Sequence, residues 1–325
     1  ALLEQSENYQ MEHPFLQNSG MENFQKAFTH FIQHELIDLA CTSAQSTIER
    51  AVQLLKEIIE ASNASSEEKY SRLQKIEVQY DELKSQISVG DFGVEQKRLS
   101  KESDELLYYI QQRVFLRYPD FFKESFNPSV LKDDGRDLKA ALRKALSELI
   151  ESTGFDFEQE MRATSVRIEA FVKNLVKGKE QQLQTFISKT WNTVDVGNYE
   201  MASYEVPAYN KAFQHLNDGS FKKELSLFRN TKAFFEKNEK QKMAEALKDA
   251  LQQPSQEYLQ MEGNKLLAYY QEILDSELQQ LLQFIESRLE DIYVSFTSVL
   301  KSDVDVTFYE KKEEALQLLL LGKQN

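Results

Sequence analysis

The chain has 325 residues, 41% of them hydrophobic, and a formal charge of −14. That charge excludes general nucleic-acid binding, because a duplex binder needs a basic face. The longest aliphatic run, Leu318–Leu321, is far short of the roughly 18 apolar residues that a bilayer-crossing helix requires. With only 10 Gly and 5 Pro and abundant Leu, Glu, Gln and Lys, the composition favours helix. Cys41 is the sole cysteine, so a disulfide framework within the chain is excluded and a reducing compartment fits. No signal peptide is recognisable at Ala1, and the missing initiator Met suits a fragment or a processed product.

Residues 1–19 are polar and irregular. Gly20 then opens a helix with Phe24, Phe28, Phe31, Ile32, Leu36, Leu39, Ile48, Val52, Leu55, Ile58 and Ile59 on one stripe. After a break at Ala61–Ser66, Ser65 and Glu68 form a capping box for a helix carrying Tyr70, Leu73, Ile76, Tyr80, Leu83 and Ile87. Val89–Gly93 is a turn. A third helix runs through Leu106, Ile110, Val114 and Tyr118 to Pro119, and 119–136 reads as a connector containing Pro128 and Gly135. Helical patterns follow over Leu138–Ile150 and Phe157–Ile187. Pro254 reads as a first-turn residue of a return helix reaching about Val299. Such a helix spans roughly 70 Å at about 1.5 Å per residue. Asp303–Asp305 suggests a break, and Phe308–Leu320 a closing helix.

The expected fold class is all-α: elongated antiparallel helical bundles. No repeat period points to a solenoid.

Catalytic signatures are not found. The chain has no Gly-x-x-x-x-Gly-Lys-Ser/Thr loop and no Gly-x-Gly-x-x-Gly or Gly-x-Ser-x-Gly motif. His30 and His34 are four apart, but spacing supplies no further zinc ligands, so two ordinary helix histidines are the simpler reading. The carboxylates read as solvated helix faces. Cys41 lacks cationic neighbours and reads as a small buried hydrophobe rather than a nucleophile. The chain is expected to be non-enzymatic, with no catalytic residue, no metal and no cofactor of its own.

Residues 186–242 break the helical pattern. They carry Trp191, Tyr199, Tyr204, Pro207, Tyr209, Phe213, Phe221, Phe228, Phe234 and Phe235. Within 221–242 seven basic residues (Lys222, Lys223, Arg229, Lys232, Lys237, Lys240, Lys242) face three acidic ones, a local excess of four positive charges. Phe221, Leu225, Phe228, Lys232 and Phe235 recur at helical steps and are expected to share one helix. Asn217-Asp-Gly-Ser220 is a turn that would present Phe221 at a tip. Aromatics flanked by lysines suit an anionic bilayer surface. The expected membrane-binding tip is Trp191, Phe221, Lys222, Lys223, Phe228, Arg229, Lys232, Phe234 and Phe235. The competing reading is that these aromatics close the end of a bundle.

Ser19-Gly-Met-Glu-Asn-Phe24, then Phe28 and Phe31, then Glu35-Leu-Ile-Asp-Leu-Ala-Cys41 resembles the junction that leaves the GTPase domain in the dynamin superfamily. The likeness is to bacterial dynamin-like proteins, relatives of the mitofusins. It covers most of the chain by order of elements, although its specific motif is short.

The resemblance implies a stalk: a junction remnant at 1–19, neck helices at 20–88 and trunk helices at 89–187. A tip or paddle follows at 188–242, then a return helix at 243–300 and a closing neck helix at 301–325. It implies a parent GTPase that uses GTP and Mg in a domain not within this chain. It also implies membrane remodelling or fusion, peripheral location at the inner face of the cell membrane, and homo-oligomers. Gly90, Gly93, Pro119 and Pro128 are the hinge candidates between neck and trunk. The insert lacks the long apolar hairpin of some relatives. Rival expectations are a structural coiled-coil adaptor for protein partners and, less favoured, a pore-forming helical toxin component.

Overall fold

The structure is a computed structural model that describes residues 21–88, 90–132, 137–236, 238–301 and 306–321. The Ser19-Gly20 start of the junction motif, Gly135, Lys237 and the expected break at 303–305 lie outside these, as does the side chain of His34. Among the described residues the fold is all-α. The helices are α1 (Met21–His30), α2 (Ile37–Asn63), α3 (Ser66–Ile87), α4 (Gly93–Ser125), α5 (Leu138–Thr190), α6 (Lys222–Leu225), α7 (Thr231–Glu236), α8 (Glu239–Lys301) and α9 (Val306–Leu321). A π-helical segment, Phe31–Leu36, joins α1 to α2, and a 3-10 turn, Asp218–Phe221, precedes α6.

The chain divides into two compact units: residues 1–84, 186–196 and 288–325, and residues 85–185 and 197–287. The boundary falls inside α3, α5 and α8, and once more at 196/197 in the irregular stretch after α5.

In the first unit, α9 lies on α2. Val52, Ile58 and Ala61 of α2 are buried together with Ile76, Tyr80 and Leu83 of α3 and Phe296, Val299 and Leu300 of α8. Tyr80 stacks on Tyr293 with ring centroids 4.2 Å apart. The capping box forms: Ser65 N–H donates to Glu68 Oε2 at 2.9 Å, and Glu68 N–H donates to Ser65 Oγ at 3.3 Å. Both orphan donors at that helix start are thereby satisfied.

The early half of the stripe does not turn inward. Phe24 is 63% exposed, and Phe28, Phe31, Ile32 and Leu36 are also exposed. Periodicity places side chains on one face, but burial needs a covering element, and none lies over that face among the described residues. Cys41 is exposed for the same reason, which corrects the buried reading.

In the second unit α4 runs antiparallel to both α5 and α8. Its Arg113 and Arg117 bridge Glu160 at 2.7 Å each, and Arg117 reaches Asp156 at 2.9 Å. Phe157 packs edge-on against Phe115, Phe213 and Tyr258, with centroids 5.5–6.0 Å apart.

Three expectations about element ends are corrected here. α4 continues through Pro119 to Ser125. A mid-helix proline costs about 3 kcal/mol, and burial of Tyr118, Phe122 and Phe126 offsets it. The two patterns at 138–150 and 157–187 form one helix of 53 residues. α8 begins at Glu239, not near Pro254, and runs 63 residues.

Candidate functional site

The interruption folds as two structures, not one. The first, residues 197–216, is a strap without regular structure that runs back along α5 and α8. Its backbone groups have no ladder, so the helices must supply partners. Gln184 Nε2 donates to Gly197 O at 2.9 Å, and Tyr199 N–H donates to Glu180 Oε1 at 2.7 Å. On α8, Tyr269 hydroxyl donates to Glu205 O at 2.8 Å, Lys265 Nζ to Ala208 O at 2.6 Å and Tyr258 hydroxyl to Asn210 O at 3.0 Å.

Side chains complete the attachment. Tyr199 and Tyr204 both donate their hydroxyls to Glu277, Tyr199 at 2.8 Å. Asn210 Nδ2 donates to Glu262 Oε1 at 2.6 Å, and Tyr209 shares a hydrogen bond with Ser165. Glu262 and Glu277 are buried, so these bonds to carboxylates are among the stronger ones the fold can make.

Burial, and after it the hydrogen bond and charge of Glu277, push the Tyr204 hydroxyl up to about 12. Tyr209 is pushed up to about 12 by burial first, with the Glu262 charge adding and the Ser165 hydrogen bond opposing.

The strap approaches α5 closely at one point. A Cβ added to Gly154 would stand 2.6 Å from Ala212 O. Beside it Phe213 takes φ of 66°, a left-handed conformation uncommon for a bulky residue. Phe213 is buried, with its ring 5.5 Å from that of Phe157.

The second structure, residues 217–242, closes the end of the second unit. Asn217 caps the 3-10 turn through Gly219 N–H at 2.9 Å, as the Asn-Asp-Gly-Ser sequence suggests. The helical spacing of Phe221, Leu225, Phe228, Lys232 and Phe235 does not yield one helix. The chain leaves helix after α6, and Asn230 Oδ1 caps α7 by accepting from Ala233 N–H at 2.8 Å.

Phe221 and Phe234 are buried at 2% and 0% exposure. Phe234 meets Phe228 at 5.2 Å, Phe235 at 5.1 Å and Phe126 at 6.3 Å. These aromatics close the bundle end, so Phe221 and Phe234 are not surface anchors. Phe228 and Phe235 are half-buried. Trp191 belongs to the first unit, where it is buried with its ring 5.5 Å from Phe296.

The cations behave differently. Lys222, Lys223, Arg229 and Lys232 are exposed. Arg229 lies 3.9 Å from Glu239. Lys240 sits 5.4 Å over the Phe235 ring, and burial, then the charge of Lys123, lowers its pKa. Lys123 and Lys240 thus stand near one another at this end.

Of the hinge candidates, Pro119 lies inside α4 and Pro128 in the turn after it, where Asn127 Oδ1 accepts from Ser129 N–H at 2.9 Å. Both stand within the second unit, away from its boundary. Gly90 and Gly93 lie just past that boundary, and Gly93 N–H donates to Asp91 Oδ1 at 2.9 Å.

Sequence reasoning missed Glu262 and Glu277 by treating carboxylates as solvated. The signal was present: both fall on the inward stripe of α8, Glu262 between Tyr258 and Leu266, and Glu277 between Ile273 and Leu281. An acidic residue in such a stripe needs a buried donor.

Among the described residues no three His, Cys, Asp or Glu side chains cluster as a metal site, and no helix is long and apolar enough to cross a membrane. No family model matches the chain, and no solved structure matches it. Over 251 residues the chain is 21% identical to dynamin-like protein A of Bacillus subtilis (strain 168). The match covers 75% of this chain and 20% of that protein, so the chain spans about a fifth of that relative's length. At this level the chain is similar to a dynamin-like protein, and that relation is a coarse one.

Proposed function

We propose that this chain is stalk from a dynamin-like large GTPase, and that the basic end of its second unit meets an anionic membrane surface. GTP and Mg would be bound by a GTPase domain outside this chain, and the neck and trunk of that stalk would correspond to the two units. Nucleotide-driven motion would then reach the membrane, for remodelling or fusion, from the inner face of the cell membrane. Gly90 and Gly93 are the hinge positions this reading retains.

The observation that carries the membrane part is the exposed Lys222, Lys223, Arg229 and Lys232 on a chain of net charge −14. With Phe221 and Phe234 in the core, the contact is electrostatic, with Phe228, Phe235 and the exposed Leu227 adding shallow apolar contact. Each lysine near an anionic surface contributes about 1 kcal/mol, an effect that salt screens.

The test is co-sedimentation with phosphatidylserine-containing and neutral vesicles at low and moderate salt. Salt-sensitive binding to the anionic vesicles, reduced about tenfold or more by Lys222→Glu with Lys223→Glu, is the expected result. Binding that ignores these changes sinks the membrane contact. Aspartates at Phe221 and Phe234 would not serve as a test, because they would open the bundle end.

A second reading, an adaptor for protein partners, is favoured by the exposed Phe24, Phe28 and Phe31 of the first unit. It predicts no vesicle binding at any salt.

A further inference from the structure

The first unit holds a cavity of about 340 Å³ whose lining comes from four of its segments. Its apolar wall is Ala61 of α2, Ile76 of α3, Trp191, and Phe296 and Leu300 of α8, all buried. The Trp191 and Phe296 rings stand 5.5 Å apart, tilted by 54°. Two hydrogen bonds fix the turn at 191–193 against the other walls. Gln79 Nε2 on α3 donates to Thr190 O at 2.6 Å, and Thr193 Oγ1 donates to Glu57 Oε2 on α2 at 2.9 Å.

Four charges line the same cavity: Glu57 and Glu60 on α2, and Arg72 and Lys75 on α3. They sum to zero, yet among the described residues none of them forms an ion pair. Arg72 acts on Glu68, one turn back, but Ser65 already holds that carboxylate in the helix cap. Of the charges just outside the lining, Lys56 bridges Glu313 at 4.0 Å and Arg50 bridges Asp195 at 2.8 Å, while Lys301 is exposed. Two carboxylates and two cations thus line one space beside an apolar wall without neutralising one another across it.

We propose that this cavity binds a small zwitterion with an apolar side chain, the chemistry of a free amino acid such as phenylalanine or leucine. Its carboxylate meets Arg72 and Lys75, its ammonium meets Glu57 and Glu60, and its side chain lies against Trp191 and Phe296. A lone anion would meet the two glutamates, and a lone cation the two bases, each at a like-charge cost. An uncharged apolar molecule would take water from all four charges and pair none of them. Ligand sites run from about 300 to 1,000 Å³, and this cavity stands at the small end, as an amino acid requires. Because α2, α3, the 191–193 turn and α8 all contribute, an occupant ties them together and stabilises the first unit by mass action. The proposal does not rest on the membrane reading.

Trp191 is the sole tryptophan of the chain, so its fluorescence reports on this cavity alone. Titrating the full chain with L-phenylalanine, and separately with L-leucine, should change that emission saturably and raise the unfolding midpoint. 3-Phenylpropionate lacks the ammonium and phenethylamine lacks the carboxylate, and each should bind about tenfold or more weaker than phenylalanine. Arg72→Gln with Lys75→Gln should weaken phenylalanine about tenfold or more. Both side chains are exposed, and circular dichroism checks that the variant folds. Emission and unfolding midpoint that both ignore millimolar phenylalanine and leucine overturn the proposal. So does binding that survives the double substitution, or 3-phenylpropionate or phenethylamine binding as tightly as phenylalanine.

Discussion

The strap at 197–216 and the end at 217–242 share a composition and differ in what holds them. In the strap, aromatic residues act mainly through hydroxyls: Tyr199 and Tyr204 on Glu277, and Tyr209 on Ser165. At the end they act through rings, packed around Phe234 at tilted and edge-on angles. The strap occupies a path along α5 and α8 where a helix would satisfy its own backbone, and so it borrows donors and acceptors from both helices. The end needs only to exclude water, and it leaves its lysines outside. A run of aromatic residues that breaks helical periodicity is therefore compatible with polar anchoring and with apolar closure, and the partners decide which.

The largest effect should separate the two directly. Phe234→Ala removes a fully buried ring and should cost about 3–5 kcal/mol, read by urea unfolding. Hydrogen exchange should rise first at 217–236 and later at 199–213. Equal, simultaneous loss of protection in both segments would mean that they are one cooperative structure.

Gly154→Ala attacks the strap from the helix side. Alanine favours a helix over glycine by about 1 kcal/mol, but its Cβ would meet the Ala212 carbonyl at 2.6 Å, and overpacking costs about 1–3 kcal/mol. A net loss is expected, with exchange increasing at 209–216. A stabilised variant would show that the strap can withdraw without penalty.

Tyr204→Phe should cost about 1 kcal/mol, since Glu277 keeps Tyr199 as a donor. The tyrosines also set a pH limit. An unfolded tyrosine titrates near 10, whereas Tyr204 and Tyr209 are pushed up to about 12. The folded state holds those protons longer, so this contribution is complete below about pH 10. It is lost as pH rises towards about 12. Helicity at 222 nm should fall as phenolate absorbance at 295 nm appears. Phenolate that forms with helicity intact would mean that the strap hydroxyls are not buried.

The helices were legible because apolar spacing in α3, α4 and α8 is a local property, as was the Ser65–Glu68 cap. What covers a face is not local. The stripe of Phe24, Phe28 and Phe31 has the periodicity of Val52 and Ile58, yet only the later part meets α9. The bulk charge and the lysine excess at 221–242 could be counted from the sequence. The inward Phe234 could not, because that depends on Phe126, far away in the chain. Pro119 and Pro254 misled for a related reason: a local helix-breaking cost of about 3 kcal/mol is smaller than the tertiary burial of the turns around them.

The smallest stability effect is the most informative about the end. Lys222 and Lys223 are exposed, so Lys222→Glu and Lys223→Glu should each shift the unfolding free energy by no more than about 0.5 kcal/mol. Any destabilisation beyond that would show that the lysines belong to the packed end and that its cations are structural. If stability holds, the outward charge is independent of the inward rings. A surface of that kind can be tuned for an anionic partner without disturbing the core beneath it, whereas the strap offers no such freedom, because the groups that attach it are the ones it buries.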